Sequence, residues 1–156
     1  MACDIQQLSI HELHLCVPFG EAFHREMKIP GAFIGQKFVD SWIGILSTIP
    51  STILLLRHQN EVIGGLGGAI TPDLNDGRLC AQELFWFVDP AHRGGSGSVR
   101  LVRAFEEWAQ SKGAVEVRMV RLLTAGDSER LDAFYSTRGY GRLEIHYWKP
   151  LKQEEV

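Results

Sequence analysis

Glu83 stands in the run Gln82-Glu83-Leu84-Phe85-Trp86-Phe87-Val88, a strand pattern otherwise built from large apolar side chains. A carboxylate in such a place calls for either a partner or a use, and once ionised it can take a proton from a nucleophile. Just downstream, Arg93-Gly94-Gly95-Ser96-Gly97-Ser98 precedes a helical pattern. Backbone amides at a helix N-terminus favour phosphate, and glycine lets a ligand approach the backbone closely. The loop is not a Walker A loop, because no lysine follows Gly97. Neither the glycines at 64–68 nor those at 94–97 have the G-x-G-x-x-G spacing of a dinucleotide turn.

Arginine gathers in the same half of the chain (Arg93, Arg100, Arg103, Arg118 and Arg121), where a small anionic ligand can dock. Arg103 and Glu107 are spaced for an i,i+4 pair. His11, His14 and His24 read as solvated helix residues rather than metal ligands, since no further ligand converges with them. No metal is expected. Cys3, Cys16 and Cys80 are odd in number and contain no C-x-x-C, which points to reduced thiols with neither a disulfide framework nor a nucleophile–histidine pair.

The elements that position these residues follow from periodicity. Residues 10–26 predict two short helical pieces around Pro18-Phe19-Gly20, and 34–46 predict a helix presenting Phe38, Trp42 and Ile45 on one face. Ser51–Arg57 and Val62–Ile70 read as a hairpin turning at Gln59-Asn60-Glu61, with glycines in its second strand that signal a bulge or a close approach. The strand 82–88 follows, then a helix over 99–111 with Leu101, Val102, Phe105, Trp108 and Ala109 facing inward. Residues 114–122 alternate as a half-buried strand, Ser128 is placed to cap a helix through Thr137, and Leu143–Trp148 read as a last strand. This order predicts an α/β fold of the α+β type: one continuous domain over 1–156, with a mixed central sheet flanked by helices.

Composition supports a folded chain of this kind. The 156 residues are 45% apolar and carry a formal net charge of −3. That lies within the usual size of one domain and outside the composition of disordered chains. Residues 1–80 hold five basic and eight acidic side chains, and 81–156 hold eleven of each, so no basic excess exists for coating nucleic acid. No apolar run approaches the roughly 20 residues of a membrane helix, and no signal peptide pattern opens the chain. A cytoplasmic location is the expectation.

Phe87-Val88-Asp89-Pro90-Ala91-His92-Arg93-Gly94-Gly95-Ser96-Gly97-Ser98 resembles the coenzyme A loop of the GNAT superfamily of N-acetyltransferases. In that family an apolar strand ends in Val-x-Pro, and an Arg/Gln-x-x-Gly-x-Gly/Ala turn then opens a long helix. Arg93 stands at the family distance from Pro90. Ser96 and Ser98 occupy the family's glycine or alanine positions, while Gly95 and Gly97 lie one residue earlier. Ala133-Phe134-Tyr135-Ser136-Thr137-Arg138-Gly139-Tyr140 looks like the family's second signature, and it follows the first in the right order. The likeness covers about residues 51–149.

The resemblance implies transfer of an acetyl group from acetyl-CoA to a primary amine of a small molecule or protein, by direct attack in a ternary complex. It puts the pyrophosphate on the amides of Gly94, Gly95, Ser96, Gly97, Ser98 and Val99, behind Arg93. The pantetheine pairs with the backbone of Trp86, Phe87 and Val88, and Ser128 stands where the family often has an asparagine near the cofactor. Glu83 becomes the general base and Tyr135 the proton donor to the departing thiolate. The acceptor side is read as mildly acidic from Asp73, Asp76, Glu21 and Glu26, which suits a cationic amine. A homodimer is left open. The second reading is a catalytically silent GNAT-fold module that binds acyl-CoA or a protein.

Overall fold

The computed structural model describes residues 3–122 and 128–151, and its contacts divide the chain into two compact units, Met1–Gly126 and Asp127–Val156. In the first unit a five-stranded sheet runs in chain order: β1 (Asp4–Gln7), β2 (Ser51–His58), β3 (Glu61–Pro72), β4 (Leu79–Val88) and β5 (Glu116–Arg118). β1 to β4 are antiparallel and β5 is parallel to β4, so the sheet is mixed as expected. The predicted hairpin is β2–β3, and Gln59 and Asn60 turn it with φ of 49° and 68°, the geometry of a two-residue hairpin loop.

The two helical pieces of the N-terminal segment are a 3₁₀ turn (Ile10–Cys16) and α1 (Val17–Glu26). The boundary falls before Pro18 because proline fits the first turn of a helix and not its interior. The Ser9 amide donates to Glu12 Oε2 at 3.0 Å and secures the start of the 3₁₀ turn. α2 (Gly35–Thr48) and α3 (Ser96–Ser111) fall where periodicity put them, α3 starting one turn earlier inside the glycine-rich loop.

Gly67 and Gly68 explain how the helices meet the sheet. Successive strand residues face opposite sides. A Cβ on Gly67 would meet the Trp42 ring of α2 at 2.7 Å, and one on Gly68 would meet the Phe105 ring of α3 at 2.6 Å. The α1–α2 layer and the α3 layer are therefore separated there by bare backbone. On the α1–α2 side, Leu13, Phe19, Trp42, Ile53, Leu55, Phe85 and Phe87 form one buried cluster.

Three elements differ from expectation. β1 has no counterpart in the sequence reading, being four residues long and largely polar. β5 is shortened to three residues, because beyond it the Val120 amide donates to the Glu83 side chain rather than to a strand. In the second unit α4 spans Ser128–Ser136, but the predicted strand Leu143–Trp148 is not formed, and residues 141–151 carry no regular structure. Alternating side chains supply a face, but a strand also needs a ladder partner.

Candidate active site

Glu83 owes its position to a bulge. Gly67 pairs with Phe85 and Gly68 with Glu83, which leaves Leu84 as an extra residue in β4. The extra residue changes the phase of the strand: Phe85 and Phe87 face α1 and α2, while Glu83 shares the face of Gly68 with α3. Its side chain is buried, at 5% exposure. Oε2 accepts the Val120 amide at 2.8 Å, and among the described residues no cation or further donor reaches the carboxyl. Burial pushes the acid up to about 7, against the opposing pull of the Val120 hydrogen bond. Glu83 is thus a proton acceptor poised near neutral pH.

Beyond Glu83, the ladder between β4 and β5 does not continue. The Asp89 amide donates to the Ile63 carbonyl at 2.8 Å. Antiparallel ladders alternate, so Phe85 and Phe87 turn their amides to β3 while Trp86 and Val88 turn theirs away. The ladder with β5 covers only Cys80, Ala81 and Gln82, so among the described residues of this unit no strand pairs the Trp86–Val88 edge. Of the three backbones expected to meet an extended ligand, Phe87 is the one committed to β3.

The edge leads to the N-terminus of α3. Gly94 turns the chain with φ of 81°, and Gly95 is the cap residue, with no side-chain cap bond. The first-turn amides of Ser96, Gly97 and Ser98 have no partner within the helix. Gly95 is open, its nearest obstacle to a Cβ being the His92 carbonyl at 4.0 Å. Gly97 is glycine for a different reason than ligand access: it is buried, and its Cβ would meet Leu56 Cδ2 at 3.0 Å, so it lets α3 lie close on β2. A strand that runs on past its bulge to the first-turn amides of a helix is the shape that a pantetheine and its pyrophosphate require, so the residues fit acetyl-CoA.

The expected arginine cluster does not converge on an anion site. Arg93 Nε donates to the Val88 carbonyl at 2.6 Å, its guanidinium takes both oxygens of Glu26, and it lies over the Phe87 ring. Arg100 donates to the Cys3 carbonyl, and Arg118 to Glu116 and to Asp73 at 3.1 Å. No pair forms between Arg103 and Glu107 among the described residues. The acidic side is engaged likewise: Asp73 by Arg118, Asp76 by Arg78 at 3.3 Å, and Glu26 by Arg93.

Among the cysteines, burial and the nearby Glu12 push the Cys16 thiol up to about 12, which makes it inert. Cys3 does have a histidine neighbour that spacing concealed, since its Sγ lies 3.9 Å from His58 Nδ1. His24 packs its ring on Phe33.

In the second unit, Tyr135 is buried on α4, its ring 5.9 Å from Phe134 and 5.5 Å from Tyr140. Its carbonyl accepts the amides of Arg138 and Tyr140, which closes the helix end. Ser128 is the first residue of α4, and its side chain lies outside the described set.

A mixed sheet with a bulged β4, a β4–β5 ladder that does not continue beyond the bulge and a glycine turn into α3 defines an acetyltransferase fold. The model of the Acetyltransferase (GNAT) family matches residues 14–140, and the chain belongs to that family. It is therefore an N-acetyltransferase whose co-substrate is acetyl-CoA. No curated protein matches it closely enough to count as a relative.

Solved structures share the fold at low identity. An aminoglycoside acetyltransferase from an uncultured soil metagenomic sample superposes with a TM-score of 0.77 at 22% identity, covering 97% of this chain and 100% of that one. AAC(6')-Iy, solved with the bisubstrate analogue CoA-S-monomethyl-acetylneamine, gives 0.77 at 17% identity over 98% and 100%. Glucosamine-6-phosphate N-acetyltransferase from Arabidopsis thaliana gives 0.69 at 15% over 97% and 100%.

Proposed function

We propose that this acetyltransferase moves the acetyl group directly from acetyl-CoA to a primary amine within a ternary complex, with Glu83 as the general base. The observation that carries the reading is the buried Glu83 carboxyl at the β4 bulge, on the strand that runs on to the α3 N-terminus. Acetyl-CoA, when bound, supplies an activated thioester.

The rest is done by the chain. The outward amides of Trp86 and Val88 orient an extended ligand as an added strand, and one of them can polarise the thioester carbonyl. The turn from Gly94 to Val99 receives the pyrophosphate. A lysine-like amine has an unperturbed pKa near 10 and must lose a proton before attack; Glu83 accepts it, directly or through water. Tyr135 is proposed as proton donor to the departing thiolate, on the likeness of its motif. Arg93 is assigned to holding the turn, through Val88 and Glu26, rather than to holding phosphate.

Calorimetry with acetyl-CoA, followed by thiol release on adding amines, tests the reading. One molecule should bind per chain, and amine-dependent release should fall by about 10²–10⁴-fold in Glu83→Gln. Binding without any amine-dependent release from a broad panel of amines would leave the silent module as the correct description.

A further inference from the structure

β5 is a three-residue strand at the end of the sheet, joined to β4 by a parallel ladder over Cys80, Ala81 and Gln82. So short a ladder is marginal by itself, and parallel pairing is slightly weaker per residue than antiparallel. Yet two residues beyond Arg118 the chain is placed well enough for the Val120 amide to reach Glu83 Oε2 at 2.8 Å.

Side chains supply what the ladder lacks. Arg118, the last residue of β5, donates from Nη2 to Asp73 Oδ2 at 3.1 Å and from Nε to Glu116 Oε1 at 2.7 Å. Glu116 is tied in turn to Arg78, whose Nε lies 3.4 Å from Oε2. Asp73 and Arg78 both belong to the loop that joins β3 to β4. The Asp73 amide on the Arg78 carbonyl, at 2.8 Å, and the Gly77 amide on the Asp73 carbonyl, at 2.9 Å, close that loop. The other Asp73 oxygen, Oδ1, accepts the backbone and side-chain amides of Asn75, each at 2.9 Å. The carboxylate is thus fixed before Arg118 meets it, and its side chain is only 12% exposed, against 28% for Arg118. A pair held in this way loses less to side-chain ordering and to solvent than a fully exposed one.

We propose that Asp73 and Arg118 are positioning residues for Glu83: their ion pair locks β5 onto the β3–β4 hairpin and so brings the Val120 amide to the carboxyl. This rests on the reading of Glu83 as general base and deepens it. The line of action runs from Asp73 through Arg118 and the β5 backbone to Val120. On the Glu83 face, β3 contributes Gly68 and α3 the Phe105 ring, neither of them titratable, and the charged groups of β5 pair within the network. The Asn75 bonds, and after them the Arg118 bond, hold the Asp73 acid below the usual carboxylate range, so the pair stays charged while Glu83 titrates. Losing the Val120 hydrogen bond would remove the influence that draws the Glu83 acid downward.

The test uses Asp73→Asn, Arg118→Met and the double variant in the full chain, with two readouts that need no turnover. Asp73→Asn keeps the oxygen that Asn75 uses, so the loop stays closed. Hydrogen exchange of the Val120 amide should speed up by about tenfold or more in each variant. The Glu83 carboxyl, followed by carboxyl-carbon NMR, should titrate about one unit higher than in the wild type. Because both changes break one contact, the double variant should titrate no higher than Arg118→Met. Arg118→Lys, which keeps the cation, should fall between Arg118→Met and the wild type. The rising limb of kcat against pH should move upward with the carboxyl.

The proposal is overturned if the Val120 amide and the Glu83 titration keep their wild-type values in either single variant. Activity that falls with no shift in the Glu83 titration would overturn it as well. A carboxyl that shifts as expected, in a protein whose wild-type kcat shows no limb at its midpoint, would uphold the positioning role and remove the general-base assignment instead.

Discussion

Glu83 and Val120 are joined by a hydrogen bond of 2.8 Å from the Val120 amide to Oε2. The bond fixes one carboxyl oxygen, and among the described residues the other accepts no hydrogen bond. It also marks where β5 stops, because an amide given to a side chain cannot serve a ladder. Shortening β5 and anchoring the carboxyl are one event, and together they end the β4–β5 ladder next to a buried acid.

The first consequence is a pH profile. With Glu83 pushed up to about 7, kcat at saturating acceptor should rise through that pH and level off above it. Glu83→Gln should lower kcat about 10²–10⁴-fold and abolish this limb, while acetyl-CoA affinity stays within a few-fold. A wild-type kcat that is flat between pH 5.5 and 8.5 would remove Glu83 from the reaction.

The same acid links stability to pH. The folded acid titrates near 7 and the unfolded one near 4.5, so between those values the native state holds a proton that the unfolded state has lost. Stability from this group is therefore fully present below about 4.5 and declines as pH rises to about 7, by something on the order of 3 kcal/mol. Denaturant unfolding at several pH values should show the decline in the wild type and its loss in Glu83→Gln, which becomes the more stable protein above pH 7.

Two glycines separate ligand contact from packing. Gly95→Glu has room for its Cβ and places a negative charge at the α3 N-terminus, so acetyl-CoA binding should disappear with the melting temperature nearly unchanged. Gly68→Ala drives a methyl into the Phe105 ring and against the Gln82 carbonyl, and should cost about 1–3 kcal/mol or more. Equal losses of stability in the two variants would contradict the division of roles.

Tyr135→Phe preserves the ring contacts with Phe134 and Tyr140 and removes only the hydroxyl. Turnover should drop by roughly 10²-fold or more, with acetyl-CoA affinity nearly constant. Unchanged turnover would make the tyrosine a packing residue of α4 and send the thiolate's proton to it from solvent.

Elements with strong local signals were legible in the sequence. The β2–β3 hairpin has its turn at Gln59-Asn60, and α3 has its apolar face and glycine entry, so both could be read from neighbours in the chain. Glu83 stood out by contrast with its strand. What stayed hidden depends on residues far apart. β1 is recognisable only through its pairing of Asp4–Gln7 with Leu54–Arg57. The glycines of β3 signal a bulge, but its place at Leu84, opposite Gly67 and Gly68, follows only from how the two strands pair. No local pattern announces that the Arg93 guanidinium pairs with Glu26, 67 residues away. The alternation of Leu143–Trp148 described a surface, and no local rule reveals whether a neighbouring strand will use it.

Trp42 touches two things at once: it lines a cleft together with His24, Phe33 and Lys37, and its ring covers the bare backbone of Gly67. A protein engineer seeking to widen that cleft would cut this residue first. Truncating it to alanine would also leave a void over the sheet, costing about 3–5 kcal/mol out of a total stability of roughly 5–15. Phe33 and Lys37 carry no such double duty, being half-buried and exposed respectively. The cleft should therefore change shape, in the laboratory or by natural drift, through those two positions, while the tryptophan holds the sheet and stays put.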